Sequence, residues 1–340
     1  MGAACCPASA ILEESVGAQV HPVLALDIGG TKLAVAVVTP DGRTHGSIVE
    51  PTRRDEGPDV ILGRLFDMGA RAIELATADG VGDIAAVGIS CGGPLDAAGG
   101  VLTNPLHLPG WIDVPIVAMA SERFAVPAVL ENDATAAALA EHRFGAGVGT
   151  QTMLYLTIST GVGGGAVVNG RLHRGASGNG GEYGHIMVRP GGRQCLCGRL
   201  GCLEAYASGT FIAARAAEAL EVWAGPTLLT ADALAAEHVS AAAQRGDALA
   251  LEIWNETTAV LAQAITDLVN VFEPDLVVLG GGVTRSGAFL LDPIRDTVLR
   301  EAMQPAARVV RVQLAQLGDE VCVVGAGAIA SDLLEELARV

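Results

Sequence analysis

The chain reads Asp27-Ile28-Gly29-Gly30-Thr31-Lys32 between two apolar, β-rich runs, 23–26 and 33–38. This pattern predicts a strand, a tight turn and a second strand. Glycines let backbone N–H groups approach a polyphosphate closely, and the threonine and lysine add a hydroxyl donor and a cation. The aspartate at the start of the turn can hold Mg²⁺, directly or through water. We therefore predict that this turn binds the phosphates of a nucleotide.

Two further glycine turns also follow predicted strands. Thr160 to Gly165 interrupts a β-rich stretch, with strands predicted at 152–158 and 166–168. Gly280 to Gly282 separates another predicted strand from a helix that we expect to start near Ser286. The first of these turns repeats the opening order of strand, turn and strand, which indicates an internal duplication of architecture. Neither a Walker loop nor a dinucleotide fingerprint is present in the sequence, so we expect a nucleotide site of another type.

The rest of the chain alternates between strand and helix patterns. Helices are predicted at 58–76, from Asp133 to about 144, through most of 211–272 and at 321–338, and strands at 85–90, 128–130, 276–279 and 309–314. This alternation predicts an α/β fold with parallel pairing in each half. The stretch Leu95 to Pro115 is rich in Gly, Pro and Asn and is predicted to be a long functional loop.

Composition limits the classes of partner. The chain has 340 residues, half of them apolar, and a formal net charge of -17. An acidic surface repels phosphate backbones, so we expect no general nucleic-acid partner. No apolar run reaches the roughly 18–20 residues of a membrane helix. Residues 1–20 lack a signal-peptide pattern, and we expect them to form a disordered tail of a cytoplasmic protein.

Lys32 is the only lysine in the chain, and arginine supplies the other basic side chains. One interpretation is compositional drift towards arginine with one lysine left by chance. The other is that position 32 requires a compact ammonium rather than a planar guanidinium. The neighbouring glycine turn favours the second interpretation.

A cysteine-rich segment carries a metal-binding pattern. Nine residues separate His185 from Cys195, and Cys197 and Cys202 follow within eight residues of that first cysteine. Thiolate and imidazole are ligands that zinc prefers, and four of them fill a tetrahedral shell. A closed shell leaves no position for water, so we predict a structural zinc. The alternative is three buried free cysteines beside an unrelated histidine.

Asn132-Asp133 lies where a predicted strand gives way to a helix. Both residue types are preferred helix N-caps, so capping is one interpretation. Phosphoryl transfer also needs a carboxylate that accepts the proton of the attacking hydroxyl, and Asp133 is our candidate. Asn104, Glu182 and Glu204 are further polar groups for a small polyol, and zinc would hold the two glutamates in place. The alternative for these glutamates is a solvated surface pair.

Five motifs occur in an order that is typical of one protein family. They are Asp27-Ile-Gly-Gly-Thr-Lys, Leu130-Glu-Asn-Asp133, Gly161-Val-Gly-Gly, Gly181-Glu182-Tyr-Gly-His185 and Cys195-x-Cys-Gly-x-x-Gly-Cys202-x-Glu204. From about Val23 to Ala338 the chain resembles the ROK family of sugar kinases and sugar-responsive repressors, within the actin/hexokinase-like superfamily. The histidine–cysteine motif is specific to that family, whereas the glycine turns are shared more widely.

The resemblance implies two ribonuclease-H-like α/β domains with a cleft between them. The smaller domain would comprise 21–131 plus 321–340, and the larger 132–320 with the zinc loop 185–202. Asp133 would be the catalytic base, commonly towards a 6-hydroxyl. The sugar would be contacted by Asn104, Asn132, Asp133, Glu182, His185 and Glu204. ATP with Mg²⁺ would be held by Asp27, Gly29, Gly30, Thr31, Lys32, Thr160, Gly161, Gly163, Gly281 and Gly282.

The resemblance also implies a homodimer or homotetramer whose cleft closes on sugar. We expect an ATP-dependent kinase of glucose or a close relative. N-acetylmannosamine or N-acetylglucosamine kinase is the first alternative and fructokinase the next. These alternatives stay open because Asn179-Gly180 stands where the family often has alanine, which puts the identity of the sugar in doubt. A non-enzymatic sugar sensor is the alternative from another class. A DNA-binding repressor is disfavoured, since the 26 residues before Asp27 are too few for a winged helix-turn-helix.

Overall fold

The computed structural model describes residues 21–339 and contains two five-stranded sheets. The predicted disordered tail, 1–20, lies outside the described residues. The first sheet has the order β3-β2-β1-β4-β5. Its strands are β1 (Val23–Ile28), β2 (Lys32–Val38), β3 (Thr44–Pro51), β4 (Val87–Cys91) and β5 (Ala128–Asn132). The second sheet has the order β10-β9-β6-β7-β8. Its strands are β6 (Met153–Ile158), β7 (Val162–Val168), β8 (Arg171–Leu172), β9 (Leu276–Gly280) and β10 (Arg311–Leu314).

The two sheets share one topology, which confirms the predicted duplication. In each, three strands form an antiparallel meander, and two later strands add in parallel to the first strand of that meander. The predicted parallel pairing in each half is confirmed for β1, β4 and β5 and for β6, β9 and β10, while the meander strands pair antiparallel. Short turns join the meander strands, and only antiparallel neighbours can be joined by so few residues.

Ten α-helices surround the sheets within residues 21–339. They are α1 (Pro58–Ala78), α2 (Ile116–Phe124), α3 (Asp133–Phe144), α4 (Glu204–Ala207), α5 (Gly209–Val222), α6 (Ala236–Gln244), α7 (Ala248–Phe272), α8 (Ala288–Glu301), α9 (Gln304–Val309) and α10 (Val321–Leu337). Among these helices we find none that combines the length and the apolar character needed to cross a bilayer. The α/β class predicted from the sequence is therefore confirmed.

Helices α3 and α10 lie between the two sheets. Helix α10 packs on β1 and β4, α3 packs on β7, and the two helices contact each other. These contacts are possible because two positions are glycine and have no side chain. A Cβ at Gly88 would lie 1.8 Å from the Ala326 carbonyl oxygen, and one at Gly325 would lie 2.5 Å from the Ala136 backbone. Glycine at these positions lets the helices approach the sheet and each other at backbone distance.

One strand boundary was predicted wrongly. The glycines after Gly161 were expected to break the second β-rich stretch until Ala166, yet Gly163 to Gly165 lie inside β7. A Cβ at Gly165 would lie 2.7 Å from the Ala138 side chain, on α3. The glycines therefore continue the strand and leave room for α3, because a larger residue would push the helix away from the sheet.

Candidate active site

Asp27 is the penultimate residue of β1, just before the first glycine turn, and is buried. The Ser90 hydroxyl, near the end of neighbouring β4, donates a hydrogen bond of 2.7 Å to its Oδ1. The pKa of Asp27 is raised to about 7, chiefly by burial and also by the charge of Asp133, while Ser90 and Lys32 act in the opposite direction. The acid therefore sits in a poorly solvated position close to a second acid.

The turn after Asp27 is held by short backbone contacts. The Gly29 amide donates to the Lys32 carbonyl at 3.0 Å, and the Thr52 hydroxyl donates to the Gly29 carbonyl at 2.6 Å. The Lys32 ammonium lies 3.5 Å from the Asp319 carbonyl oxygen, just before α10. Asp319 also accepts from Arg285 at 3.0 Å. The only lysine thus reaches from the first glycine turn towards the third.

Asp133 is the first residue of α3, and Asn132 is its N-cap. Asn132 Oδ1 accepts the amides of Ala134 and Thr135 at 3.0 and 3.1 Å, and Asp133 Oδ1 accepts the Ala134 amide at 2.8 Å. The capping interpretation is therefore correct for Asn132, whose Nδ2 is left to donate to a ligand. Burial raises the pKa of Asp133, and its amide hydrogen bond and His107 oppose the rise.

The predicted zinc ligands converge. Ligand atoms of His185, Cys195, Cys197 and Cys202 all lie within 4.8 Å of one another. The Cys197 and Cys202 sulfurs are 3.7 Å apart, and His185 Nδ1 is 3.7 Å from the Cys195 sulfur. Zinc–sulfur bonds of about 2.3 Å give tetrahedral edges of about 3.8 Å, so the spacing fits a zinc ion. The donor set and its geometry suit a closed structural site.

Two glutamates flank this cluster. Glu204 begins α4, and its Oε2 accepts the Val162 amide at 2.9 Å, in the second glycine turn. Its other oxygen is 3.8 Å from the Cys195 sulfur. Glu182 lies 3.8 Å from His185 Nε2, the ring nitrogen on the side away from the cysteines. Partial desolvation in the site raises the pKa of Glu182, His185 lowers it, and the charges of Asp133 and Glu204 add to the rise. The acids thus share one electrostatic environment with Asp133.

A cavity of about 420 Å³ lies beside the second and third glycine turns. Thr160 and Gly282 line it, together with Arg285 and residues of α5 and α6 such as Thr210 and Gln244. The Thr210 hydroxyl donates to the Thr160 carbonyl at 2.8 Å, so the start of α5 adjoins the turn. A helix N-terminus beside a glycine turn offers several unpaired N–H groups to an anion. The turns at 160 and 282 are thus brought together as predicted.

Comparison with known proteins places the chain in a family. The ROK family model matches residues 23–333. The chain belongs to the ROK family. A glucokinase of Thermotoga maritima is 33% identical over 311 residues, which cover 90% of this chain and 96% of that protein. An N-acetylmannosamine kinase of Yersinia pestis is 37% identical over 269 residues, 78% of this chain and 85% of that one.

A solved ROK structure has the same fold. The ROK glucokinase of Streptomyces griseus, in complex with glucose and AMPPNP, is 34% identical, covers 92% of this chain and 99% of its own, and superposes with a TM-score of 0.75. The two sheets described above therefore correspond to the two-domain, actin/hexokinase-like architecture that the motifs implied.

One predicted ROK site residue stands apart. Asn104 is exposed on the loop between β4 and α2, and within residues 21–339 its side chain makes no hydrogen bond. The same loop brings in a residue that the sequence analysis missed. A Cβ at Gly30 would lie 2.9 Å from the His107 Cβ, and one at Gly92 would lie 2.5 Å from its imidazole. His107 therefore packs against the first glycine turn, and its charge affects Asp133.

Other lining residues were also outside the sequence analysis. Arg285, Ser240 and Gln244 reach the cavity from the segment after β9 and from helix α6. Helical periodicity alone marks α6 as a packed helix and does not distinguish the side chains that face a cavity. The one sequence signal for His107 is its position in the loop from Leu95 to Pro115, which was predicted to be functional.

Proposed function

We propose that this ROK protein phosphorylates a hexose with ATP, with Asp133 as general base and the 6-hydroxyl as acceptor. The chain is an ATP-dependent sugar kinase, and the finer statements are our inference. One observation carries them: Asp133, the first residue of α3, is near enough for its charge to raise the pKa both of Asp27 before the first glycine turn and of Glu182 beside the zinc ligands. A single carboxylate therefore adjoins the two places where phosphate and sugar would bind.

The environment of Asp133 suits proton acceptance. Burial raises its pKa towards neutrality, which makes the carboxylate a better base than an exposed aspartate. The helix N-terminus and the Ala134 amide hold the carboxylate in one orientation. In this proposal the sugar hydroxyl donates its proton to the free oxygen of Asp133 as its own oxygen attacks the terminal phosphorus.

The sugar side would be built from groups around the metal cluster. His185 offers Nε2 beside Glu182, Asn132 offers its Nδ2, and Glu204 is fixed by the Val162 amide. Zinc on His185, Cys195, Cys197 and Cys202 would supply no chemistry and would hold this loop rigid. Asn104 keeps its predicted sugar role only as a proposal, because it lies exposed on its loop.

The phosphate side would be built from the glycine turns. The Gly29 amide closes the first turn on the Lys32 carbonyl, which leaves the amides of Gly30 and Thr31, the Thr31 hydroxyl and the Lys32 charge for the phosphates. The turn at Thr160, Gly161 and Gly163 would add backbone donors from the second sheet. Mg²⁺ held through Asp27 would neutralise phosphate charge. The adenosine would occupy the cavity beside Gly281 and Gly282. Position 281 requires glycine, because a Cβ there would lie 2.5 Å from the Ile158 carbonyl oxygen.

The proposed domains follow the sheets. All strands of the first sheet lie within 23–132 and all strands of the second within 153–314, which supports a division at 131–132 and a return of α10 at 321. We keep the homodimer or homotetramer as a proposal. Glucose is the proposed substrate because full-length relatives are glucokinases, and N-acetylmannosamine is the second candidate because another relative is a kinase of that sugar.

The test is an ADP-release assay with ATP, Mg²⁺ and a panel of glucose, mannose, fructose, N-acetylglucosamine and N-acetylmannosamine. We expect the highest kcat/KM with glucose, and NMR of the product should place the phosphate on the 6-oxygen. A preference for N-acetylmannosamine would select the second candidate. Sugar binding without any ADP release would favour a non-enzymatic sensor instead.

A further inference from the structure

An ion pair joins the two halves of the molecule next to the candidate base. Arg174 lies just after β8 of the second sheet, and Glu131 lies on β5 of the first. Arg174 Nε is 2.7 Å from Glu131 Oε2, and the Glu131 side chain is 1% exposed. A carboxylate so deeply buried needs its partner, because an unpaired buried charge is strongly unfavourable.

Glu131 also contacts the backbone at the end of β5, next to the candidate base Asp133. Its second oxygen, Oε1, accepts the Asn132 amide at 3.0 Å. Asn132 caps α3, whose first residue is Asp133. Both oxygens of one carboxylate are therefore used, one by Arg174 and one by the backbone immediately before Asp133.

The backbone of Arg174 is fixed to the loop that leads to Glu182, the acid proposed to bind the sugar. Its carbonyl accepts the Gly180 amide at 2.9 Å and closes the segment 174–180. Gly181 follows with φ of 103°, and a Cβ there would lie 2.5 Å from the Gly164 carbonyl oxygen. The loop thus has little freedom before Glu182, so a displacement of Arg174 would be transmitted to that acid.

The same loop also runs close to the first half at a second place. A Cβ added at Gly178 would lie 3.6 Å from the Ala97 side chain, in the loop after β4. The ion pair between Arg174 and Glu131 is therefore the polar contact by which segment 174–180 is held to the first half.

We propose that Arg174 is a positioning residue that holds Asp133 and Glu182 in register across the cleft, and that it thereby sets the affinity for the sugar. This inference rests on the sugar kinase function proposed above. The guanidinium acts through Glu131 on the base and through its own backbone on the sugar loop. It touches neither the nucleotide cavity nor the metal cluster.

The test compares Arg174→Gln, Glu131→Gln and the double variant with the wild-type chain, each purified with zinc. Kinetics give kcat and KM for the preferred hexose and for ATP, and calorimetry gives the hexose Kd without nucleotide. We expect each single variant to raise the hexose KM and Kd about tenfold or more, while the KM for ATP changes less than about twofold. The double variant should be no weaker than the worse single variant, because both changes break one contact.

Arg174→Lys and Arg171→Gln complete the set. Arg174→Lys keeps the charge and should recover part of the affinity, which also protects the test if Arg174→Gln folds poorly. Arg171 lies exposed on β8, three residues earlier, and its replacement should leave all constants unchanged. Thermal melting of every variant separates loss of stability from loss of sugar affinity.

The outcomes are distinguishable. A lower Tm with unchanged hexose constants would make the ion pair a structural contact only and overturn the inference. Multiplying losses in the double variant would also overturn it, because the two side chains would then act separately. A wild-type chain with no sugar-dependent ADP release would remove the kinase function and this inference together.

Discussion

Asp27 is buried and Asp133 is half-buried at the start of α3, and the charge of Asp133 raises the pKa of Asp27. Burial disfavours the charged form of a carboxylate, and a second negative charge nearby adds to the effect. A fold gains no stability from such a pair, so its presence is better explained by chemistry than by structure. In the proposed mechanism the two residues have distinct roles, Asp27 towards Mg²⁺ and the phosphates and Asp133 towards the sugar hydroxyl.

Replacing Asp133 by Asn tests the base. The amide keeps the size and can still accept the Ala134 amide, so α3 should begin at the same place. It cannot accept the proton of the sugar hydroxyl, and we expect kcat to fall about 10²- to 10⁴-fold with the sugar Kd nearly unchanged. Steady-state kinetics and calorimetry measure both. Turnover close to that of the wild type would remove Asp133 from this role.

Replacing Asp27 by Asn should stabilise the protein at high pH while abolishing activity. Between pH 3.8 and about 7 the folded acid keeps a proton that the unfolded chain releases, so wild-type stability falls as the pH rises through this window. Above pH 7 the full cost is present, at most about 4 kcal/mol, and Asn does not titrate. The variant should therefore gain little at pH 4.5 and most at pH 8.

Urea unfolding of both proteins at several pH values, without Mg²⁺ or nucleotide, measures this difference. Asp41, an exposed acid whose pKa is lowered by the Thr39 hydroxyl, offers a matched control in Asp41→Asn. That control should show no gain at high pH. A constant difference between wild type and Asp27→Asn at all pH values would contradict the assigned protonation.

Because Lys32 is the only lysine, labelling of its amine can test whether the first glycine turn binds phosphate. An amine-directed reagent can modify only Lys32 and the terminal amine in this chain. We expect ATP with Mg²⁺ to protect Lys32 from acetylation, because the ammonium would face bound phosphate. Peptide mass spectrometry reads both sites, and the terminal amine serves as the internal control. Equal labelling of Lys32 with and without saturating ATP would place the phosphates elsewhere.

At this scale the sequence identifies residues whose type is tied to chemistry and misses those whose role depends on position. The four metal ligands were predicted because their types and spacing are specific to a metal, and their donor atoms do converge. His107 was missed because a single histidine in a loop has no pattern, and only the folded chain brings it against Gly30 and Gly92. Asn132 had two interpretations, and the capping bonds show that its carbonyl is already used.

At the scale of elements, the zinc loop has a packed base and an exposed end. Cys195 and Cys202 are buried in the same apolar cluster as Val188 and Leu203, whereas Cys197 is exposed. An ion would tie the exposed end to the packed base, because the thiols and the imidazole need a metal to hold them together. The position of Glu204 depends on the same loop, since it lies between Cys195 and the second glycine turn.

Cys197→Ser should therefore lower zinc content and sugar affinity together. We expect less than one zinc per chain by elemental analysis and a sugar Kd raised about 10- to 100-fold. The matched control is Cys322→Ser, at the start of α10 and away from the cluster, which should keep its zinc. A wild-type chain purified without zinc, yet fully active, would show that the loop needs no metal.

The boundaries of the elements show where a one-dimensional pattern fails. Helix α1 was predicted from 58 to 76 and ends at Ala78, two residues later. Its apolar residues face the first sheet. Strand β7 was cut short in the prediction, since glycine is normally unfavourable in strands. The sequence pattern could not show that Tyr183 and α3 pack so closely on β7 that no side chain larger than glycine fits there.

At the scale of the whole molecule, the duplication could be predicted and the arrangement of the halves could not. Repeated strand, turn and strand patterns indicate two similar sheets. The relative placement is set by α3 and α10, which meet at Gly325 and Ala136. Just before α10, the Gln316 and Leu317 amides donate to the buried Glu141 carboxylate of α3 at 2.9 and 2.8 Å, which fixes the start of α10 beside α3. These contacts join residues some 175 positions apart and leave no local signal.

We expect one half to rotate against the other about the α3 and α10 crossing, because these two helices form the main contact between the sheets. In the proposed mechanism each ligand is contacted from both halves, the sugar by Asn104 and Glu182 and the nucleotide by Gly30 and Gly281, so both ligands should favour a closed arrangement. We expect small-angle X-ray scattering to give a smaller radius of gyration when a saturating hexose and a non-hydrolysable ATP analogue are present. The Glu131→Gln variant, which lacks the charged contact across the cleft, should show a smaller decrease. Scattering that does not change, at concentrations where calorimetry shows both ligands bound, would mean that the two halves are already fixed and that Arg174 acts within a rigid site.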